Sequence, residues 1–255
     1  MTTVNRSIAD YCDKGWELIL SQNGLQEFDD YWNCSGEWVE HANYARGGWS
    51  GVIRCCLSLP NGGRATLFVK KQRNYKTRTL RHPILGIPTL AREFKNLGRL
   101  IRRGVGTVKP IFFASRNVCG DDRSILITEE LGGFQSLMPT GDSRFDSAAA
   151  FETGRLLRAV HAAGLNHNCY YPKHVFIRPT ADERICETRV LDLEKAKPRH
   201  WNCLRPLHDL RTMLRRCHWW TRGNRVRFLI GYFGRLDSVL AQLAVTTALH
   251  RAAKE

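Results

Sequence analysis

Two apolar segments, at about 51–58 and 65–71, flank Pro60-Asn61-Gly62-Gly63, and this pattern predicts a hairpin. In the second segment, alternation puts Leu67 and Val69 on one face and Phe68 and Lys70 on the other, so Lys71 points away from Lys70. Gly47, Gly48 and Gly51 precede the first strand. Ahead of them a helix is expected near Glu27–Trp32 and a strand near Glu37–Glu40, elements that would cover the sheet. Residues 72–88 carry Arg73, Lys76, Arg78, Arg81, Pro83 and Pro88 without periodicity and read as a basic loop. Leu90, Phe94, Leu97 and Ile101 then recur at spacings of 4, 3 and 4, marking an amphipathic helix that Gly104 stops. The segments VKPIFFAS and SILITEEL read as two more strands, the latter running into Glu129-Glu130-Leu131-Gly132-Gly133.

A boundary falls near residue 132, and the pattern beyond it is mainly helical. A helix over about 144–163 has Ala149, Leu156 and Val160 on its apolar face and ends at Gly164. A polar, aromatic and His-rich loop follows, then a short apolar strand, a bend, and a strand that delivers Asp192 in VLDLEKAK. Asp209 starts a further helix in RPLHDLRTMLRR, HWWTRGNRVRFLIGYFG follows, and Leu236, Val239, Leu240 and Leu243 continue an amphipathic helix to the end.

Glu93 breaks the pattern. It sits on the buried stripe of its helix, where a carboxylate lacking a partner would be costly. A lysine such as Lys70 would resolve the cost; the alternative is a position at the stripe's margin, reaching water. On the strand alone, Lys70 and Lys71 could equally be solvated edge lysines. The three glycines could bend a loop over phosphates, offering main-chain N–H donors, or could be turn and bulge glycines.

Composition narrows the class. The 255 residues are 43% apolar, enough for one large domain or two lobes sharing a core. No apolar run approaches the roughly 18–20 residues of a membrane-spanning helix, and the N-terminus carries acids where a secretion signal would be apolar, which implies a cytoplasmic protein. Nine cysteines, without CxxC or zinc-finger spacing, read as reduced thiols, mostly in the core. The formal charge of +15 implies an anionic partner: ATP, an anionic glycolipid, a membrane surface or nucleic acid. Basic residues coating an ordinary soluble enzyme would give the same count. No groove-entering motif accompanies the charge, which argues against nucleic acid. Trp219 and Trp220, near Arg215, Arg216, Arg222, Arg225 and Arg227, are core anchors or part of a binding surface.

The stretch from His161 to Lys197 carries the chemistry. It reads HAAGLNHNCYYPKHVFIRP, a bend, then TRVLDLEKAK. It resembles the lipopolysaccharide kinase family (the WaaP/Kdo kinase group), whose loop runs roughly NHRDCYICHF and whose metal-binding stretch is IDLHRA-like. The H-x-C-x-Y-x-K-H-V-F form is nearest to the InaA-like branch. His167 matches the first His of the loop, Asn168 its Arg, Cys169 its catalytic Asp, Tyr171 its Tyr and His174 its metal-side His. The resemblance covers about residues 40–235.

That resemblance implies an α+β, protein-kinase-like two-lobed fold: a small, mostly antiparallel β N-lobe with one helix over 1–131, and a mainly helical C-lobe over 132–255. It implies ATP and Mg²⁺ as cofactors. Gly47, Gly48, Gly51, Lys70, Glu93, Glu129 and Leu131 would bind the nucleotide, and Lys70 would pair with Glu93. Asp192, with His174 beside it, would hold the metal, and Glu194 would be a second acid. His167, Asn168 and Cys169 would form the catalytic loop, with His167 and Asp209 bracing it. The implied partner is an anionic glycolipid, the lipopolysaccharide core, met by a cytoplasmic protein peripheral on the cytoplasmic face of the inner membrane. One departure matters: neither Asn168 nor Cys169 is a carboxylate base, although Lys173 and basic surroundings could acidify the thiol. The implied function is therefore either a sugar kinase or a pseudokinase that binds nucleotide or glycolipid as a regulator.

Overall fold

The computed structural model describes residues 10–45, 47–79, 82–139, 146–180, 186–199 and 205–235. The expected helix over 236–243 lies outside the described residues, as does Arg81. The chain divides into two units: one runs to Gly98 and resumes over Val108–Leu131, and the other takes Arg99–Thr107 and the chain from Gly132 on.

The first unit begins with β1 (Tyr11–Cys12), α1 (Glu17–Gln22) and α2 (Phe28–Asn33). A reciprocal capping box opens α2: the Glu27 carboxylate accepts the Asp30 N–H, and the Asp30 carboxylate accepts the Glu27 N–H. Then come β2 (Glu37–Ala45), β3 (Gly48–Ser58), β4 (Arg64–Arg73), β5 (Lys76–Thr79), β6 (His82–Pro88), α3 (Thr89–Arg102), β7 (Pro110–Val118) and β8 (Asp121–Glu129). Six of the strands form one antiparallel sheet in the order β1-β7-β8-β4-β3-β2. The strand carrying Lys70 is therefore central, with β3 and β8 paired to its two sides.

Strand alternation sorts the sheet into two faces. Ile53, Cys55, Leu57, Leu67, Val69, Ile125, Ile127 and Phe112 pack with Leu20 of α1 and Tyr31 of α2 into a buried cluster. Tyr31 lies flat on Phe112 with ring centroids 3.8 Å apart. Each fully buried side chain of this size contributes about 1.5–3 kcal/mol, so α1 and α2 are held by the sheet rather than by their own short length. The other face carries Lys70, Leu126 and Phe113, and Phe94 of α3 stacks on Phe113 at 4.6 Å.

Several sequence expectations need correction here. The basic segment 72–88 is not a loop: β4 continues to Arg73, and β5 and β6 pair as an antiparallel ribbon. Ile101 is 41% exposed, whereas Leu100 is fully buried, so the inward stripe of α3 runs through Leu90, Glu93, Leu97 and Leu100. Gly48 and Gly51 do not precede the first strand but lie within β3, which pairs from Gly48 onward, and β2 extends to Ala45. A side chain at Gly48 would strike the Arg73 carbonyl, and one at Gly51 the Trp38 ring, so both glycines permit close packing. Of the eight described cysteines only four, Cys55, Cys169, Cys186 and Cys217, are buried.

The second unit contains β9 (Gln135–Ser136), α4 (Asp146–Ala162), β10 (Leu165–Asn166), β11 (Val175–Pro179), β12 (Cys186–Val190), β13 (Lys197–Pro198), α5 (Arg205–Arg216) and α6 (Arg222–Phe233). Short helical turns at Pro172–His174 and Leu193–Lys195 interrupt the strands. Ala149, Leu156 and Val160 are buried on α4 as expected, and Trp220 is a core anchor against Phe228. Gly154 of α4 and Gly231 of α6 face each other's helix backbone, which brings the two helices into close contact. Thr107 Oγ1 donates to the Val190 carbonyl at 2.6 Å, tying the stretch after α3 to the strand that leads to Asp192. Among the described residues no helix is long and apolar enough to cross a membrane.

Candidate active site

In the first unit, the Lys70 ammonium lies 2.9 Å from Glu93 Oε2. Alternation along β4 puts Lys70 on the α3 side of the sheet, and Glu93 is delivered by the inward stripe of α3. Both halves of the pair thus follow from periodicity. Lys71 takes the opposite face, donating to the Cys34 carbonyl at 2.6 Å. Gly47, at φ 79°, makes the turn between β2 and β3, where a positive φ favours glycine. At the end of β8 the Glu129 N–H bonds to Lys109 O and the Glu130 N–H to Thr66 O, and Leu131 closes the unit.

In the second unit, a buried carboxylate shapes the loop. Asp209 of α5 accepts the main-chain N–H of His167 on Oδ2 and that of Asn168 on Oδ1, each at 2.8 Å. His161 Nε2 also donates to Oδ2, at 3.0 Å, while the Tyr232 hydroxyl donates to His161 Nδ1 at 2.8 Å. These donors explain how a fully buried carboxylate is tolerated. The bracing role expected of Asp209 is thus visible atom by atom.

His167 is fully buried, and burial pushes its pKa below the ordinary histidine value. Its hydrogen bonds fit the neutral ring: Nε2–H donates to Leu191 O at 3.0 Å, and Nδ1 accepts the Cys169 N–H at 3.3 Å. The loop is thereby pinned to the residue before Asp192. Asn168 adopts a left-handed conformation at φ 64°, and its side-chain amide donates to Lys195 O at 3.0 Å and Asn166 O at 3.2 Å.

Cys169 is buried, and burial pushes its thiol up from the ordinary value. The Tyr171 hydroxyl and Lys195 oppose that rise without overcoming it. Lys195 is the nearby cation, not Lys173 as the sequence suggested, and the thiol is not acidified. Tyr171 in turn lies under the Arg216 guanidinium, 5.3 Å from the ring centre. Lys195 was missed in the sequence, where its only signal was a charge in a segment already singled out, and Arg216 was read only as part of the basic cluster beside Trp219 and Trp220.

His174 Nδ1 donates to Cys169 O at 2.9 Å, which places Nε2 on the Asp192 side. Asp192 itself takes a left-handed conformation, φ 59° and ψ 65°, at the turn after β12. A carboxylate oxygen donor here fits a hard cation such as Mg²⁺, whereas the His174 imidazole, bonded at Nδ1 and close to Asp192, is placed to orient that acid. Glu194, two residues on, is largely buried. The second unit therefore brings His167, Asn168, Cys169, His174 and Asp192 into one hydrogen-bonded group, and the first brings Lys70 to Glu93.

Comparison with known proteins identifies the family and the fold. Residues 29–232 match the model of the lipopolysaccharide kinase (Kdo/WaaP) family. Protein InaA of Escherichia coli (strain K12) is 31% identical over 195 residues, covering 73% of this chain and 86% of InaA. Among solved structures, WaaP in complex with acyl carrier protein superimposes with a TM-score of 0.69 at 21% identity, covering 97% of this chain and 99% of that one. That likeness shows the kinase-like α+β fold.

Proposed function

The chain belongs to the lipopolysaccharide kinase (Kdo/WaaP) family, and on that premise we propose that it transfers a phosphoryl group from ATP, with Mg²⁺, to a sugar hydroxyl of the lipopolysaccharide inner core, on heptose or Kdo. The observation that carries this reading is the largely buried Lys70–Glu93 ion pair. Phosphoryl transfer needs its charges neutralised and its reactants positioned more than it needs covalent help. Lys70, held by Glu93, binds nucleotide phosphates. The turn at Gly47 lets the β2–β3 hairpin approach them, and the chain at Glu129 and Leu131 takes the adenine edge. Asp192 holds Mg²⁺, oriented by His174, while His167 and Asn168 fix the loop. Bound Mg²⁺ would neutralise the charge of the phosphates. The charge of +15 suits an anionic glycolipid acceptor and a peripheral position on the cytoplasmic face of the inner membrane.

A second reading, a nucleotide- or glycolipid-binding pseudokinase, is favoured by Cys169. Its thiol stays neutral because burial raises its pKa, so it supplies no base at neutral pH. General-base assistance contributes about 10²–10⁴-fold, so its loss slows transfer without removing ATP binding.

A thermal-shift titration with ATP, with and without Mg²⁺, tests the first step. Saturation near 100 times Kd stabilises by about 2.7 kcal/mol, which moves the melting point by several degrees. The shift should be larger with Mg²⁺, should vanish in Lys70→Ala and should lose its Mg²⁺-dependent part in Asp192→Ala; no shift in the wild type overturns the ATP-dependent reading. Phosphate transfer to isolated lipopolysaccharide core then separates the two functions. Cys169→Asp should raise turnover of a slowed kinase by about 10²-fold or more. A Cys169→Asp protein that binds ATP and transfers nothing favours the regulator.

A further inference from the structure

The β5–β6 ribbon stands outside the six-stranded sheet, and its outer strand is bulged. Thr77 pairs with Ile87 and Thr79 with His82, so Arg78 alone on β5 lies opposite Pro83, Ile84, Leu85 and Gly86 on β6. The surplus residues are forced out of the ladder. Both ends of the bulge are fixed. Gly86, at φ 68°, turns the chain back so closely that a Cβ would lie 2.8 Å from the Thr77 carbonyl oxygen, and the His82 N–H donates to Thr79 Oγ1 at 3.1 Å. Ile84 and Leu85 are thereby held in solvent, 82% and 77% exposed, the most exposed large aliphatic side chains among the described residues.

The charge around the bulge indicates what covers it. From residue 41 to residue 92 the sequence has ten Lys and Arg and no Asp or Glu. Asp121 and Asp122 of β8 pair with Arg73 and Lys76 at the base of the ribbon, whereas Arg78, opposite the bulge, is exposed. Aliphatic side chains projecting beside cations match the boundary of an anionic bilayer, where headgroup phosphates meet the cations and acyl chains meet the aliphatic groups. A second copy of this chain would bring up a surface of the same sign, which like charges oppose.

We propose that the β5–β6 ribbon is a membrane-anchoring wedge: Ile84 and Leu85 enter the acyl boundary of an anionic phospholipid bilayer, and Arg78 reaches the headgroup phosphates. This assignment rests on the peripheral membrane position proposed above and names the element responsible for it. Two side chains bury little apolar surface, so the attachment is reversible and needs the charge as well.

Sedimentation of the full-length protein with phosphatidylcholine vesicles, and with vesicles that also contain phosphatidylglycerol, tests the proposal. The wild type should bind the anionic vesicles, and added salt should weaken that binding. The double variant Ile84→Ser, Leu85→Ser should bind about tenfold more weakly or worse, and Arg78→Ser about fivefold more weakly. Because both apolar side chains face water, the double variant should keep the wild-type melting temperature and ATP-dependent shift. Equal binding of the double variant and the wild type overturns the wedge and leaves a membrane position driven by charge alone. A wild type that binds neither kind of vesicle overturns the peripheral position and the wedge with it. Sedimentation equilibrium without vesicles tests the other occupant: a wild-type dimer that the double variant turns into a monomer would assign the ribbon to a second copy and also overturn the proposal.

Discussion

His174 Nε2 lies 3.3 Å from Asp192 Oδ2. The other ring nitrogen already donates to the Cys169 carbonyl, so one imidazole ties the loop position that lacks an acid to the acid proposed for the metal. In the imidazolium form Nε2 also donates, giving Asp192 a charge-assisted partner.

This linkage separates the two residues experimentally. Asp192→Asn removes the ligand's negative charge and should abolish the Mg²⁺-dependent part of the ATP thermal shift. His174→Ala leaves the carboxylate in place but not oriented, and should weaken apparent Mg²⁺ affinity about 10–100-fold while restoring a full shift at high Mg²⁺. A His174→Ala protein with wild-type Mg²⁺ dependence would show that the histidine does not position the acid.

The Lys70–Glu93 pair makes a second prediction, with opposite outcomes for stability and binding. The side chains are 17% and 7% exposed, so removing one partner breaks an ion pair that lies largely out of water. Lys70→Met should therefore cost about 3–5 kcal/mol in urea unfolding. Lys70→Met combined with Glu93→Leu removes both charges and should recover most of that loss, yet it should show no ATP-dependent shift. Recovery of stability together with ATP binding would disprove the nucleotide role of Lys70.

What was legible in the sequence depended on whether an element has one buried face. Lys70 and Glu93 could be paired from sequence because β4 and α3 each bury one side, and a charge on that side stands out. The β5–β6 ribbon could not: Ile84 and its neighbour Leu85 are 82% and 77% exposed, so with both alternating positions in solvent there is no periodicity to read. On α3 the misplacement of Ile101 is a drift of one position, since spacings of 4-3-4 and 3-4-3 define stripes that share Leu90 and Leu97. Asp209 was readable through family resemblance, whereas the contact of Lys71 with Cys34 joins residues 37 apart through folding alone. The Cys169 environment misled for a similar reason: Lys173 is near in sequence, but Lys195 is the cation that acts on the thiol.

The α4–α6 contact gives a third prediction, in which packing and helix propensity pull in opposite directions. Alanine is better than glycine in a helix by about 1 kcal/mol. At Gly154, however, a Cβ would run into the Phe228 carbonyl, and at Gly231 into that of Phe151, backbone atoms that can move only if the helices separate. Overpacking should win, so Gly154→Ala and Gly231→Ala should each lose about 1–3 kcal/mol, or about 2–4 °C of melting temperature per kcal/mol. Gly223, on the same helix, meets only Thr221 Oγ1 at an ordinary 3.6 Å, and Gly223→Ala should be neutral or stabilising. Equal melting shifts for the three variants would refute the close-contact account.

A fourth prediction concerns acid stability. His167 is held neutral by burial, its pKa lowered from 6.5, while in the unfolded chain it titrates near that ordinary value. Between the two values the unfolded state binds the extra proton, so stability must rise with pH there. The contribution is complete above about pH 6.5 and is lost as pH falls toward the lowered folded value, by up to about 1.4 kcal/mol per pH unit. Asp30 and Asp121, whose carboxyls are also held low, act in the same direction but only nearer the carboxylate range, below the window of His167. His167→Gln keeps an amide able to donate to Leu191 O but cannot be protonated. It should be less stable than the wild type at pH 7.5, and its urea midpoint should fall less between pH 6.5 and 5.0. Parallel slopes for the two proteins across that window would mean that the proton excluded on folding belongs to another residue.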